Sequence, residues 1–319
     1  MQAFVRIAAF VVGLLAITTQ WANAQTYPAR AVTMIIPFPP GGGNDIVGRY
    51  VAGELSKKWG VPVTPENRGG AGGAIGSSAV ARSAADGYTM MFISSSYTIN
   101  AATIAGLTFD PINDLTLVAT TGSTDMVVTV AEHVKANSMK ELLDLSKQRK
   151  ILAGTIGGSI EFATLLLMDA SKMDMTPVPY KGAGDIFPDM LGGRIDLYVG
   201  TASAVLPLVN GKQIRPIATT GKERIKTLPE VPTVYELNLP GAAMDLWWGV
   251  FVPSKTPTAI QEKINADVSQ IMSTPGAAEF LAKQDARPKS TSLQAGPELV
   301  KTEIARWKSL AEKYNIKPN

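Results

Sequence analysis

The stretch of this chain best suited to chemistry is a run of glycines rather than a set of acids, bases or thiols. Met34-Ile35-Ile36 reads as a buried strand that stops at Pro37-Phe38-Pro39-Pro40, turns through Gly41-Gly42-Gly43 and enters Asn44-Asp45. Val47, Tyr50, Val51 and Leu55 then recur at helical spacing. A strand that passes through glycines into a helix leaves backbone N–H groups with no Cβ in front of them. The helix dipole adds positive potential at the same point, so the junction suits an anion, a carboxylate or a phosphate above all. Asn44 is placed to cap the helix, and Lys57, Lys58 and Gly60 mark its far end.

Which anion is tested letter by letter. A phosphate-binding Gly-x-x-x-x-Gly-Lys-Ser/Thr loop would use Gly43 and Gly48, but Arg49 and Tyr50 stand where the lysine and the hydroxyl belong. The dinucleotide pattern Gly-x-Gly-x-x-Gly fits Gly41 and Gly43 and fails at Ile46. A serine hydrolase finds Gly157-Gly158-Ser159-Ile160-Glu161, with Glu161 in place of the last glycine and His133 as the sole histidine to act as base. His133 is read instead as a solvated loop residue. Asp185 and Asp189, four apart, read as a cap and a surface contact. Arg49 and Arg68 either pair with a ligand carboxylate or tie loops to neighbouring acids. Trp247 and Trp248 point to opposite faces of a strand, so one at most reaches a cleft.

Composition narrows the field further. The 319 residues hold no cysteine and one histidine, which excludes disulfides, thiol catalysis and multi-histidine metal sites. A net charge of +3 without a basic stripe gives no footing for nucleic acid. Residues 1–24 read as a secretory signal: Arg6, the apolar Ile7 to Ile17, then Ala22-Asn23-Ala24 before Gln25. The apolar run is shorter than the ~20 residues of a spanning helix, so an exported, soluble mature chain is expected.

The glycine turn must be positioned by what surrounds it, and from Val32 onward strands and helices alternate, as in an α/β fold with largely parallel sheets. Strands are expected near Val61 to Thr64, at Tyr88 to Ile93 and at Leu117 to Ala119, and Gly69 to Gly76 should open a helix. Ser94-Ser95-Ser96 reads as a polar loop at the end of that strand, where a doubly wound sheet places its ligand crevice. Met126 to Val130 begins an expected second domain, in which Ser138 and Glu141 form a capping box. Strand Ile151 to Ala153, glycine turn Gly154 to Ser159 and helix Ile160 to Lys172 repeat the opening element, so two helix ends would face one cleft. Strands Thr176 to Tyr180, Ile195 to Val199 and Ile214 to Thr219 follow, with Asp185 and Ser203 as caps between them. Leu228 to Thr233 is a proline-rich connection, Trp247 to Val252 a strand leading back. Ile260, Ile264, Val268 and Ile271, then Val300, Ile304, Trp307 and Ala311, stripe the C-terminal helices.

Several stretches together carry a family resemblance. They are Ile36 to Asp45, Glu66-Asn67-Arg68 with Gly69 to Gly76, Ala85-Asp86-Gly87-Tyr88-Thr89, Pro179 to Gly184, Leu191 to Leu197 and Leu228 to Thr233. From about Tyr27 onward the chain resembles the substrate-binding proteins of the tripartite tricarboxylate transporter family, the Bug-type periplasmic receptors. The resemblance implies a type II-like, two-domain periplasmic-binding-protein fold, a Venus flytrap with its ligand cleft between the domains. Residues 25–123 and 248–319 would form one domain and 124–247 the other, with chain crossings near Gly122 and Trp247. It implies contacts to a small organic carboxylate from Phe38, Pro39, Gly41, Gly42, Gly43, Asn44 and Asp45, and from Thr155, Gly157, Gly158 and Ser159. Ser94, Ser96, Asp185, Gly200, Thr201 and Ala202 would be accessory contacts. Glu161-Phe162 departs from the histidine and leucine common in relatives, and Gly200 from their polar residue, which leaves dicarboxylate, aromatic acid, amino acid or neutral ligand open.

The implied role is a monomeric periplasmic receptor delivering solute to large and small membrane subunits, with no cofactor or metal; service to a sensor kinase is the alternative, a secreted hydrolase the remoter one. If backbone amides hold the anion and Gly42 takes positive φ, Gly42→Ala should cost on the order of 2 kcal/mol, about thirtyfold in affinity. Arg49→Gln should cost much less.

Overall fold

The computed structural model describes residues 27–156, 158–180 and 183–316. The signal reading of residues 1–24 lies outside them, as does Gly157. The first sheet is built from β1 (Val32–Ile36), β2 (Val63–Asn67) and β3 (Thr89–Ser94), with β1 between the other two and parallel to both. Helix α1 (Gly43–Trp59) connects β1 to β2. Helix α2 (Ala74–Ala81), entered through a short 3-10 turn at Ala71–Gly73, connects β2 to β3. The apolar stripe expected of α1 is its buried face: Val47, Val51 and Leu55 are fully covered.

The two strands expected at Leu117 and at Met126 are one. Strand β4 (Leu115–Ala131) runs 17 residues without a break. Val, Thr and Ala dominate it, and every residue after Thr116 is buried, so no polar stretch interrupts the pairing. Beyond it lie α4 (Met139–Ser146), β5 (Ile151–Thr155), α5 (Ser159–Ser171) and β6 (Met175–Pro179); α3 (Ser96–Thr103) precedes it. Then come α6 (Ala183–Leu191), β7 (Leu197–Thr201), α7 (Ala202–Asn210) and β8 (Ile214–Thr219). The Ser138 hydroxyl accepts from the Glu141 amide at 3.2 Å, as the capping box requires on that side. The Glu141 carboxylate reaches the Asn137 amide instead of that of Ser138.

Strand β9 (Asp245–Pro253) returns antiparallel along β4, from Leu115 opposite Pro253 to Asp125 opposite Asp245. The N-terminal part of β4 thus joins the first sheet through β9, which also pairs with β3. Its C-terminal part, Met126 to Ala131, pairs with β7 and β8 in the second sheet. The strand order is β2-β1-β3-β9-β4-β7-β5-β6. Helix α8 (Thr258–Met272), α9 (Pro275–Ala282), the two-residue β10 (Arg287–Pro288) on β4, and α10 (Ala295–Lys313) complete the chain.

Helix α10 belongs to both halves. Val300 and Ile304 pack in the core around Ile35, Met91 and Phe251 of the first half. Trp307, Leu310 and Ala311 pack in the second core, where Trp307 meets Phe162 edge-on with centroids 5.5 Å apart. The N-terminal turn of α10 rests directly on β4: a Cβ at Gly296 would lie 2.1 Å from the Leu117 carbonyl oxygen. Gly296→Ala is therefore expected to destabilise by about 2 kcal/mol in urea unfolding, the scale of core overpacking. Gly53→Ala, on the exposed face of α1 with nothing within 4 Å, should stabilise by about 0.5–1 kcal/mol. Equal effects at the two sites would show that α10 does not press on the crossover strand.

Candidate ligand-binding cleft

The glycine turn is held from behind by one carboxylate. Asp45, 5% exposed, accepts at Oδ2 from the Gly41 amide at 2.9 Å. Its Oδ1 accepts from Asn67 Nδ2 at 2.9 Å and Arg49 Nε at 2.8 Å. Burial acts to raise this carboxyl, but the Gly41, Asn67 and Arg49 bonds outweigh it and hold it below the usual carboxylate range. Asn67 Nδ2 also donates to Phe38 O at 2.9 Å, fastening the proline segment to the end of β2. Asp45 is thus a brace of the turn. Arg49 reaches Asp45 and Asn67 Oδ1 and so ties the turn to the end of β2, whereas Arg68 pairs only with Glu66 two residues before it.

Helix α1 begins at Gly43, with Gly42 as its cap residue at φ −84° and ψ 170°. Asn44 is therefore inside the first turn and does not cap it. No protein acceptor among the described residues takes the amides of Gly42, Gly43 or Asn44, and the Asn44 Oδ1, although buried, also lacks a partner. Three N–H groups at a helix N-terminus are available.

Two of them, those of Gly43 and Asn44, belong to residues lining a cavity of about 370 Å³ between the two halves. Gly41, Gly43 and Asn44 line one side with Ile46, Val47 and Ser94; Thr201 and Ser203 line the other. Thr124 of β4 and Leu246 and Trp248 of β9 form the floor, with Gln284 at its edge. The Trp248 ring lies against the turn, 3.4 Å from where a Cβ of Gly43 would be. None of these lining residues carries a charge. Thr201 is the cap residue of α7, and its hydroxyl pairs with Ser203 at 3.3 Å. The cavity accordingly sits between the N-termini of α1 and α7, both of positive potential.

Of the residues expected to bind ligand, Gly41, Gly43, Asn44, Ser94 and Thr201 meet in this cavity. Ser96 stands one shell back, its hydroxyl 2.8 Å from that of Ser94 at the start of α3, where a loop was expected. Gly42 is exposed in the turn, with Phe38 and Pro39 behind it. Thr155 is buried at the end of β5; Gly158 and Ser159 open α5. Gly200 and Ala202 are buried on either side of Thr201. Asp185 is exposed in the first turn of α6. The helix end that reaches the cavity from the second half is that of α7 rather than α5. The sheet order explains this: β7 adjoins β4, while β5 lies one strand further out. Ser203 lines the cavity from within α7 instead of capping it. Thr124, Leu246 and Gln284 escaped sequence reading. The first two follow from the strand pairing, and Gln284 arrives after α9, a helix the sequence reading did not resolve.

A larger cavity, about 650 Å³, opens on the opposite face of the β4–β9 ribbon, lined by Ser123, Asp125 and Asp245 among others. Two of its ion pairs are internal, Arg287 on Asp125 and Lys289 on Asp245, while Lys222, Glu223, Glu303 and Arg306 also line it, so it presents charge of both signs. The uncharged cavity, with free amides and two helix ends, is the better receptor for an anion. His133 is an exposed turn residue, as expected, and its Nε2 also lies 2.9 Å from Asp196 Oδ1, beside Arg149, just before β7.

Two α/β halves joined by paired crossing strands, with a small cavity at the join, define a two-domain solute-binding protein of the periplasmic type. The profile of the tripartite tricarboxylate transporter family receptor, TctC, matches residues 47–316, and the chain belongs to that family. BugT of Bordetella pertussis is 31% identical over 301 residues, covering 92% of each chain. An R. palustris protein solved with adipate is 30% identical, with a TM-score of 0.76 over 92% of this chain and 100% of its own. MatC from Rhodopseudomonas palustris with bound malate is 27% identical, with a TM-score of 0.71 over 89% and 99%. The family is one of solute-binding receptors, not enzymes.

The expectation for Gly42→Ala changes with the geometry. Positive φ falls at Gly41, 88°, and a Cβ at Gly42 would meet nothing within 4 Å. Gly41→Ala should lower stability by about 1–2 kcal/mol, the cost of a left-handed L-residue, and Gly42→Ala by less than about 0.5. Chemical denaturation of both variants checks the ranking, and the reverse order would contradict this turn geometry.

Proposed function

We propose that this chain is an extracytoplasmic receptor that binds a small organic carboxylate in the uncharged cavity and presents it to the large and small membrane subunits of a transporter. The observation carrying this reading is the pair of unused amides at Gly43 and Asn44, in a cavity shared with a second helix N-terminus and with no cation among its described lining residues. Such a site solvates a carboxylate with dipoles and hydroxyls, while Trp248, Leu246 and Val47 cover the carbon body. The relatives with adipate and with malate support a carboxylate of that size. On this reading residues 1–24 are a cleaved signal and the mature receptor works as a periplasmic monomer. Residues 25–123 with 248–319, and 124–247, are the two bodies that close on the ligand, bending where β4 and β9 pair.

A thermal-shift panel containing adipate, malate and aromatic monocarboxylates should single out at least one stabilising acid. At a hundred times its Kd a ligand adds about 2.7 kcal/mol. Small-angle scattering with that acid should show compaction. No shift from any acid, or turnover of an ester, would overturn the reading. Arg49→Gln should weaken binding less than threefold, because the arginine is spent on Asp45 and Asn67. Loss of binding there would make the site an arginine clamp.

A further inference from the structure

Glu303, on α10, sits behind the wall of the ligand cavity, and the hydrogen count around it is unusual. Thr98 Oγ1 lies 2.8 Å from Ser95 O, 2.7 Å from Glu303 Oε2 and 3.0 Å from Trp307 Nε1. Trp307 Nε1 can only donate and Ser95 O can only accept, so the single Thr98 hydroxyl hydrogen serves Ser95 or Glu303, not both. With Glu303 ionised, one of those short contacts holds two oxygens and no hydrogen. With Glu303 neutral, its own O–H donates to Thr98, Thr98 donates to Ser95 and Trp307 donates to Thr98. Trp247 Nε1 donates to Oε1 at 2.9 Å in either case. Only the neutral acid makes every contact a hydrogen bond.

The elements it joins are those that line the cavity. The Ser95 amide donates to Trp247 O at 2.7 Å, and Ser94 on one side and Leu246 and Trp248 on the other face the ligand space. We propose that Glu303 is a positioning residue that holds the Ser94 and Trp248 walls together as a neutral carboxylic acid, so that ligand affinity falls as its proton is lost. Among the described residues no cation forms an ion pair with the acid, although Arg306 and Lys289 lie close enough to act on it through space. Asp245 of β9 and Lys289, just after β10, pair with each other, and Asp125 of β4 pairs with Arg287 of β10. Arg306, further along α10, donates to Ala243 O, and α3 presents only the Thr98 hydroxyl. Burial pushes the Glu303 carboxyl above its ordinary range, with Asp245 adding to the rise against Trp247, Thr98 and Lys289. The folded pKa therefore exceeds the unfolded one: the stabilisation is complete below the unfolded value and is lost as pH rises through the folded value.

The test compares the full chain with Glu303→Gln, whose amide reproduces the neutral acid by accepting from Trp247 and donating to Thr98. Urea unfolding without ligand, from about pH 4 to 9, should show the parent losing stability relative to Glu303→Gln as pH rises. Parallel curves would mean that Glu303 is already ionised and would overturn the proposal. Calorimetric titration with adipate, which rests on the carboxylate reading above, should show parent affinity falling about tenfold over the same rise while Glu303→Gln holds steady. A matching fall in both places the titrating group elsewhere. Should adipate bind neither protein, the ligand reading fails, while the ligand-free arm still decides the state of Glu303.

Discussion

The pairing of β4 with β9 is the constraint on which the rest depends. Both sheets share β4, and β9 covers it from Leu115 to Asp125, so the two halves meet across a ribbon two strands wide. Side chains alternate along a strand, and the ribbon therefore has two characters. Thr124, Leu246 and Trp248 face the uncharged cavity, while Ser123, Asp125, Asp245 and Trp247 face away. The far side is tied by Arg287 on Asp125, with the Arg287 Nη2 bond at 2.9 Å, and by Lys289 on Asp245. Burial raises the Asp125 carboxyl despite its arginine, so this pair fixes geometry more than it adds stability. Helix α10 spans the same join, and Lys313 and Tyr314 at its end both reach Asp169 of α5. These contacts brace the ribbon on its far side.

What was legible in the sequence follows from where local and global signals agree. The strand, glycine turn and helix at Met34 to Leu55 declared themselves because periodicity, turn chemistry and burial coincide there. The stripes of α8 and α10 did so for the same reason. β4 was read as two strands because Gly122-Ser123-Thr124-Asp125 looks like a polar break; in the fold those residues are the crossover, buried by tertiary contacts that no local window contains. The Ser94-Ser95-Ser96 segment looked like a loop and instead passes directly from the last residue of β3 through the cap residue Ser95, anchored by its amide to Trp247, into α3.

The site was legible in its chemistry and less so in its membership. Glycines at a helix start marked the N-terminus of α1 as a position of open amides, and no protein acceptor among the described residues takes those of Gly42, Gly43 and Asn44. Sequence could not say that Asp45 would be consumed in bracing Gly41, nor which second helix end would reach the cavity. Both depend on strand order: Asn67 reaches Asp45 because β2 adjoins β1, and α7 comes forward because β7 adjoins β4. Arg49 shows the same limit. A cation next to an anion-binding turn is an ambiguous sign, and the nearest fixed carboxylate decided it.

A cavity without charged side chains alters how an anion would be gripped and released. A cation fixed on one half would attract a carboxylate by about 4 kcal/mol at contact for a near-surface dielectric, whether the halves were open or closed. A helix N-terminus contributes about 0.3–1 kcal/mol, up to ~2 when partly buried, and its effect fades within a turn. With α1 on one half and α7 on the other, the full attraction exists only when both ends approach the same anion. Opening the ribbon removes one end and admits water to the other. On the proposed reading the grip would be a property of the closed arrangement rather than of either half, so solute held on closure would be surrendered on opening without any group changing its charge.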